Sequence, residues 1–264
     1  MLRAYDLSKS VWYYKPNSRQ VPREDRDLEE KVRGLIQRFP TWGYRRLWAW
    51  LRYREGVLIN RKKVYRLLKR RRWFCHQRPT WPVPRVKKSR SRTERSDQRW
   101  AIDITHIPCG RDGWGHLVAV IDCADRAIVG YRFALRGRAR EAESALEDAC
   151  LRRFGTIPKI PRSLLLRSDN GLVFQAKRFR QAARFYGLNQ EFVTPYTPEQ
   201  NGLIERFFRS LKEECVWLHN FPDFQTASRY VARWIEFYNR ERPHSSLDYK
   251  SPQEWRLEQA NKAS

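Results

Sequence analysis

An aspartate in the middle of Trp100-Ala-Ile-Asp-Ile-Thr-His-Ile107 is the feature that most narrows what this chain can become. The run reads as a strand, yet Asp is a poor strand former and is costly to bury unpaired. Asp103 therefore needs a compensating partner, and a divalent cation is one. A second acid, Asp169, ends the short apolar run Leu164-Leu-Leu-Arg-Ser-Asp169 and is followed by Asn170 and Gly171, which form the turn leaving the strand.

The third candidate lies in Thr194-Pro-Tyr-Thr-Pro-Glu-Gln-Asn-Gly-Leu-Ile-Glu-Arg-Phe-Phe-Arg-Ser-Leu-Lys212. Pro198 and Gly202 punctuate a loop, after which Ile204, Phe208, Leu211 and Cys215 recur at helical spacing. Glu205, Arg209 and Lys212 stack on a neighbouring face as one acid followed by two bases. Taken alone this is a solvated flank with an i,i+4 ion pair. With Asp103 and Asp169 it becomes a set of three carboxylates on separate elements. Such a set suits phosphoryl transfer, in which two divalent ions roughly 3.5–4 Å apart serve the attacking and leaving oxygens.

The chain of 264 residues is 41% hydrophobic and 14% aromatic, enough for one sizeable core and a smaller module. Its net charge of +25 points to a polyanionic partner, nucleic acid before anionic membrane. No apolar run approaches the roughly 20 residues of a spanning helix, and no apolar signal core stands at the N-terminus, so the expected location is cytoplasmic and nucleoid-associated. Five scattered cysteines, 75, 109, 123, 150 and 215, form no C-x-x-C; they suit a reducing compartment and predict no zinc site.

Charge is unevenly spread. Residues 1–97 hold 28 Lys and Arg against 9 Asp and Glu, leaving only +6 for the remainder. After an arm over 1–25, residues 26–73 read as three short helices. One stops at Pro40, the next is capped by Thr41, and Asn60 caps a last, basic one. This resembles a helix-turn-helix whose final helix enters the major groove. Arg61, Lys62, Lys63, Arg66, Lys69 and Arg70 on that helix, with Arg45 and Arg46 on the one before, are the candidate DNA contacts; the alternative is a bundle that its charges merely solubilise. Residues 74–98, with Lys87 and Lys88, read as a basic linker able to track phosphates.

From residue 99 to 240 the pattern is three strands in an antiparallel meander, a helix over 139–154, a strand into Asp169, a helix over 174–186, a short strand, and two helices. This predicts an α/β mixed sheet with helices on its faces. Residues 241–264, including Glu241-Arg-Pro-His-Ser-Ser-Leu-Asp-Tyr-Lys-Ser-Pro252, read as a tail packed on that core, with His244 a packing or capping residue.

Asp103-Ile-Thr-His106, Ser168-Asp-Asn-Gly171 and Gln200-Asn-Gly-Leu-Ile-Glu-Arg-Phe-Phe-Arg-Ser-Leu-Lys212 resemble the three blocks of the D-D-E transposase and retroviral integrase superfamily, including the 35 residues between the last two acids. The basic front module and the Arg-Pro-His tail are most similar to the downstream-frame product of copy-and-paste bacterial insertion sequences. The resemblance implies an RNase H-like fold and catalysis by Asp103, Asp169 and Glu205 holding two Mg²⁺ or Mn²⁺ ions. Thr105, His106 and Asn170 are candidate supporting residues beside them; His106 reads equally as a satisfied structural histidine, and Asn170 as a turn residue that can also reach a phosphate. It implies nicking at the ends of an element followed by strand transfer into target duplex DNA. Arg209 and Lys212 match positions where retroviral integrases touch the DNA end with lysines. Partners implied are double-stranded DNA, a second copy or more of this chain, and an upstream-frame product, with no membrane. Two other readings fit parts of the pattern: an end-binding repressor with a degenerate core, and an RNase H-type nuclease acting on hybrids or junctions.

Overall fold

The computed structural model describes residues 25–75, 93–194 and 200–263. The arm before Asp25, the linker segment holding Lys87 and Lys88, and residues 195–199 lie outside the described residues.

Three helices build the front module: α1 (Arg26–Arg38), α2 (Tyr44–Tyr53) and α3 (Arg61–Arg71). Asp25 caps α1 through the Leu28 amide, and Asn60 caps α3 through the Lys62 amide at 2.8 Å, as its sequence predicts. Thr41 does not cap α2. The helix starts later, after an extended Gly43 that offers no side-chain bond. Leu28, Val32, Leu35, Trp42, Leu47, Trp50, Leu51, Val64, Leu67 and Leu68 form the module's core, so Trp42 and Trp50 pack inside it.

The larger domain is a five-stranded sheet in the order β3-β2-β1-β4-β5. β1 (Arg99–Pro108) pairs antiparallel with β2 (Trp114–Asp122), which pairs antiparallel with β3 (Ile128–Ala134). On its other side β1 runs parallel to β4 (Leu165–Ser168), and β4 runs parallel to β5 (Asn189–Phe192). Side chains alternate across a strand, so the two faces build separate cores. Trp100, Ile102, Val118 and Val120 pack beneath α4 (Ala139–Phe154) and α6 (Lys177–Phe185). Ala101, Leu117, Ala119 and Ile121 pack beneath α7 (Gly202–Glu214) and α8 (Phe224–Arg240). Helix α4 lies so close to β3 that a Cβ on Gly130 would sit 2.4 Å from the Ala149 amide nitrogen.

The helix expected over 174–186 is two: α5 (Leu172–Gln175) and α6, broken at Ala176, whose ψ of 140° is extended. Described residues at both ends of the expected linker bond to the domains beside them. Cys75 donates to the carbonyls of Pro40 and Trp42 in the front module. Ser96 bonds to Asp125, and Asp97 accepts from Arg153 at 2.7 Å. Buried Arg153 also pairs with Asp125, and the Trp100 indole donates to Asp122, whose carboxyl burial and Asp125 push up to about 7. All five cysteines are free. In the tail, α9 (Pro252–Ala263) follows a turn in which buried His244 packs edge-on against Tyr238, the packing role its sequence suggests.

Candidate active site

The β1–β4 register pairs Ala101 with Arg167. Asp103 and Asp169 each lie two residues beyond that pair, Asp169 just past the end of β4. Asp103 points to the face covered by α7 and lies opposite Ala119, whose small side chain leaves room above the sheet. Its Oδ1 accepts from the Ile104 amide at 2.7 Å. Asp169 leaves the strand in an Asx turn, accepting from the Gly171 amide at 2.9 Å; a Cβ on Gly171 would meet that same oxygen at 2.9 Å. On α7, Ile204, Phe207, Phe208 and Leu211 are buried against the sheet, which leaves Glu205 exposed on the flank of the helix.

Burial pushes the Asp103 carboxyl up to about 7; the Ile104 amide opposes this, and the negative charges of Asp169 and Glu205 reinforce it. Desolvation also raises Glu205. None of the three has an ion-pair partner among the described residues. Arg209, the base one turn after Glu205, turns instead to Glu213, at 2.7 Å. Asp103 thus feels the negative charge of both other acids with no ion-pair partner, and carboxylates are the donors that a hard divalent cation takes. They are not closed on it: among the described residues no three acidic, imidazole or thiol groups stand close enough to enclose an ion.

The supporting residues divide. Thr105 is buried on the same face as Asp103. His106 is one residue out of phase, so the alternation that aims Asp103 at α7 aims His106 away. Its ring meets His116 edge-on at 4.6 Å, and Lys212 lies near enough to help lower its pKa, after burial and His116. His106 is thus not bonded to any of the three acids. Asn170 donates to the Val193 carbonyl at 2.8 Å and accepts from Gln175, tying the tip of β4 to the end of β5. It positions the loop and does not bond a carboxylate.

In the front module Arg61, Lys62, Arg66, Lys69 and Arg70 are exposed along α3, and Arg45 is exposed on α2. Lys63 is exposed but paired with Asp25. Arg46 departs from its expected role: its guanidinium bonds Glu214 of α7 at 2.7 Å and faces the catalytic domain. Helical periodicity separates the inside of a module from its outside, but it cannot tell a solvent-facing outside from one docked on a second domain.

Two site residues escaped the sequence reading. Arg167 is 3% exposed, two positions before Asp169 on the same face. It grips Glu191 of β5 through Nε at 3.2 Å and Nη2 at 3.1 Å, and donates to the Gln200 carbonyl at 3.0 Å, just before α7. The signal was a base inside an apolar strand, the same anomaly that exposed Asp103. Glu214, hidden among ordinary helix charges, gave no such signal.

A family profile described as Integrase core domain matches residues 93–198, and a second of the same description matches 186–252. Residues 22–80 match an HTH-like domain. The chain is 32% identical over 245 residues to the Escherichia coli transposase InsD for insertion element IS2A/D/F/H/I/K, an alignment covering 90% of this chain and 80% of that one. This chain belongs to the insertion-element transposases with an integrase core. The InsD protein of the IS2 element on the F plasmid of Escherichia coli matches over the same extent. Among solved structures, a chain of the simian T-cell lymphotropic virus intasome in complex with PP2A regulatory subunit B56 gamma superposes with a TM-score of 0.54 at 18% identity, covering 86% of this chain and 74% of that one. That likeness shows the integrase-type fold. The transposase is accordingly a DNA-binding enzyme of polynucleotidyl transfer, from a family that depends on divalent metal. No helix among the described residues is long and apolar enough to cross a membrane.

Proposed function

We propose that Asp103, Asp169 and Glu205 are the catalytic acids of this transposase and hold two Mg²⁺ or Mn²⁺ ions for nicking and strand transfer at the ends of an insertion sequence. The observation that supports this is that the charges of both Asp169 and Glu205 act on the buried Asp103 carboxyl, while none of the three has an ion-pair partner among the described residues. When bound, the ions supply activation of the attacking oxygen and charge stabilisation at the leaving one.

The chain's own groups do the remainder. Asp103 gives up its proton to serve as a ligand. Burial of the site by α7 excludes water from one side of the sheet. Arg209 and Lys212 lie one and two turns beyond Glu205, where they contact the phosphates of the end. Arg61, Lys62, Lys63, Arg66, Lys69 and Arg70 on α3, with Arg45, grip the element end through the major groove and its backbone, and Lys87 and Lys88 add phosphate contacts from the linker. Joining two ends takes two sites, so the working unit is at least a dimer on DNA.

Incubation of labelled element-end DNA with Mg²⁺ and either the wild type or Asp169→Asn tests this. Metal-dependent nicking and joining by the wild type, abolished in the variant, is the expected result. Tight binding with no cleavage by either protein supports a repressor instead, and cutting of hybrids or junctions without joining supports a nuclease.

A further inference from the structure

At the other end of α7, nine residues and about 13.5 Å along the helix from Glu205, Glu214 closes a junction between three parts of the chain. Its side chain is 6% exposed. Arg242 of the Arg-Pro-His tail reaches it twice, at 2.6 Å and 2.8 Å, Arg46 of α2 at 2.7 Å, and the Trp42 indole at 3.4 Å. Burial alone would raise this carboxyl, but the Arg242 and Arg46 guanidiniums and the Trp42 N–H bring it below the ordinary glutamate range.

An aromatic layer continues the contact. Phe39 and Trp42 stack at 3.9 Å, and both lie over Phe237 of α8, at 5.5 Å and 6.1 Å. On the flank, Arg54 donates to Glu254 at 2.8 Å and to the Glu241 carbonyl at 3.1 Å, and Trp48 meets Tyr249 edge-on. The front module is therefore docked on the catalytic domain through an apolar stack and an ion triad whose Glu214 and Arg242 are buried and whose Arg46 is half-buried. A buried charge that loses its partners costs several kcal/mol, so the triad tolerates few docking orientations. None of these contacts uses the exposed bases of α3, so gripping DNA and docking on the core take separate faces of one module.

We propose that the Glu214 junction fixes the span between the DNA-gripping helix and the acids, and so selects which phosphate is cut. This rests on the function proposed above: α3 grips the end and Asp103, Asp169 and Glu205 cut it. In this reading Arg46 is a positioning residue, acting on DNA only through Glu214.

The test uses the full chain and an element-end duplex, with nicks mapped at nucleotide resolution for the wild type, Arg46→Met and Arg46→Lys. Arg46→Met leaves the Arg242–Glu214 pair intact and neutral overall, and Arg46→Lys keeps the charge. The expected result is a fall of roughly 10- to 100-fold in the rate at the native phosphate for Arg46→Met, new nicks at neighbouring phosphates, unchanged affinity for the end, and partial restoration by Arg46→Lys. Arg46→Met cutting the native phosphate at the wild-type rate overturns the inference. So does a loss of end binding with a salt slope shallower by about one, since Arg46 would then be a phosphate contact. A wild type that nicks no end in Mg²⁺ removes the functional reading, and this inference with it, an outcome distinct from a wild type that cuts normally beside an unaltered variant.

Discussion

Asp103 gains a proton on folding. Its carboxyl titrates near 3.8 when unfolded and is pushed up to about 7 in the folded chain by burial and by the charges of Asp169 and Glu205. Between those values the folded state holds a proton that the unfolded state lacks, so stability falls as pH rises from about 4 to about 7, by about 4 kcal/mol at most. Asp103→Asn removes that loss. Without metal the variant should match the wild type near pH 4 and be more stable at pH 8, by on the order of 2–4 kcal/mol. Denaturant titrations at the two pH values check this, and an Asp103→Asn protein no more stable than the wild type at pH 8 rejects the picture. Asp122 titrates in the same range from a different network, which is why the comparison is between variant and wild type and not of the wild type alone. The cost explains why this residue stood out in the sequence: an acid in an apolar strand is either selected against or used.

Helix α3 is where local pattern and exposure agree. Val64, Leu67 and Leu68 face the module core, while Arg66 and Arg70 are exposed one turn apart. Replacing both by Ala should weaken binding to element-end DNA and make the slope of log affinity against log salt shallower by about 2, since each phosphate contact contributes about 0.9. An unchanged slope would leave α3 a solvated face. The strands, α4, α7 and α8 were legible because their faces meet a core and the alternation or helical period records it. The candidate acids Asp103, Asp169 and Glu205 stood out because each breaks a local rule or follows a turn signal. The cap of α2 was not legible, since a hydroxyl at Thr41 is a propensity that the chain did not use. Nor was the split at Ala176, where a helical sequence adopts an extended ψ. Arg46 and Glu214 were invisible because their partners lie 168 residues apart, a pairing that no local period encodes.

Across the whole molecule, Asp169 and Glu205 come within electrostatic reach of Asp103 because β4 crosses to run beside β1 and α7 returns over the face that Asp103 shares. No two belong to one element, so an ion held by all three ties β1, the tip of β4 and α7 together. Binding confined to the folded state adds RT ln(1 + [L]/Kd), about 2.7 kcal/mol at a hundredfold excess over Kd. For a domain of this size that corresponds to a rise of about 5–10 °C in melting temperature. Mn²⁺ should give such a rise in the wild type and much less in Asp169→Asn, with the amide protons of residues 200–205 exchanging more slowly in the wild type alone. The exchange measurement matters because Glu205 stands in the first turn of α7: a cation held by it together with Asp103 and Asp169 must still the start of that helix, whereas one bound loosely elsewhere on the surface would not. Equal stabilisation of both proteins, or a shift without slower exchange at the start of α7, would place the ion outside this triad.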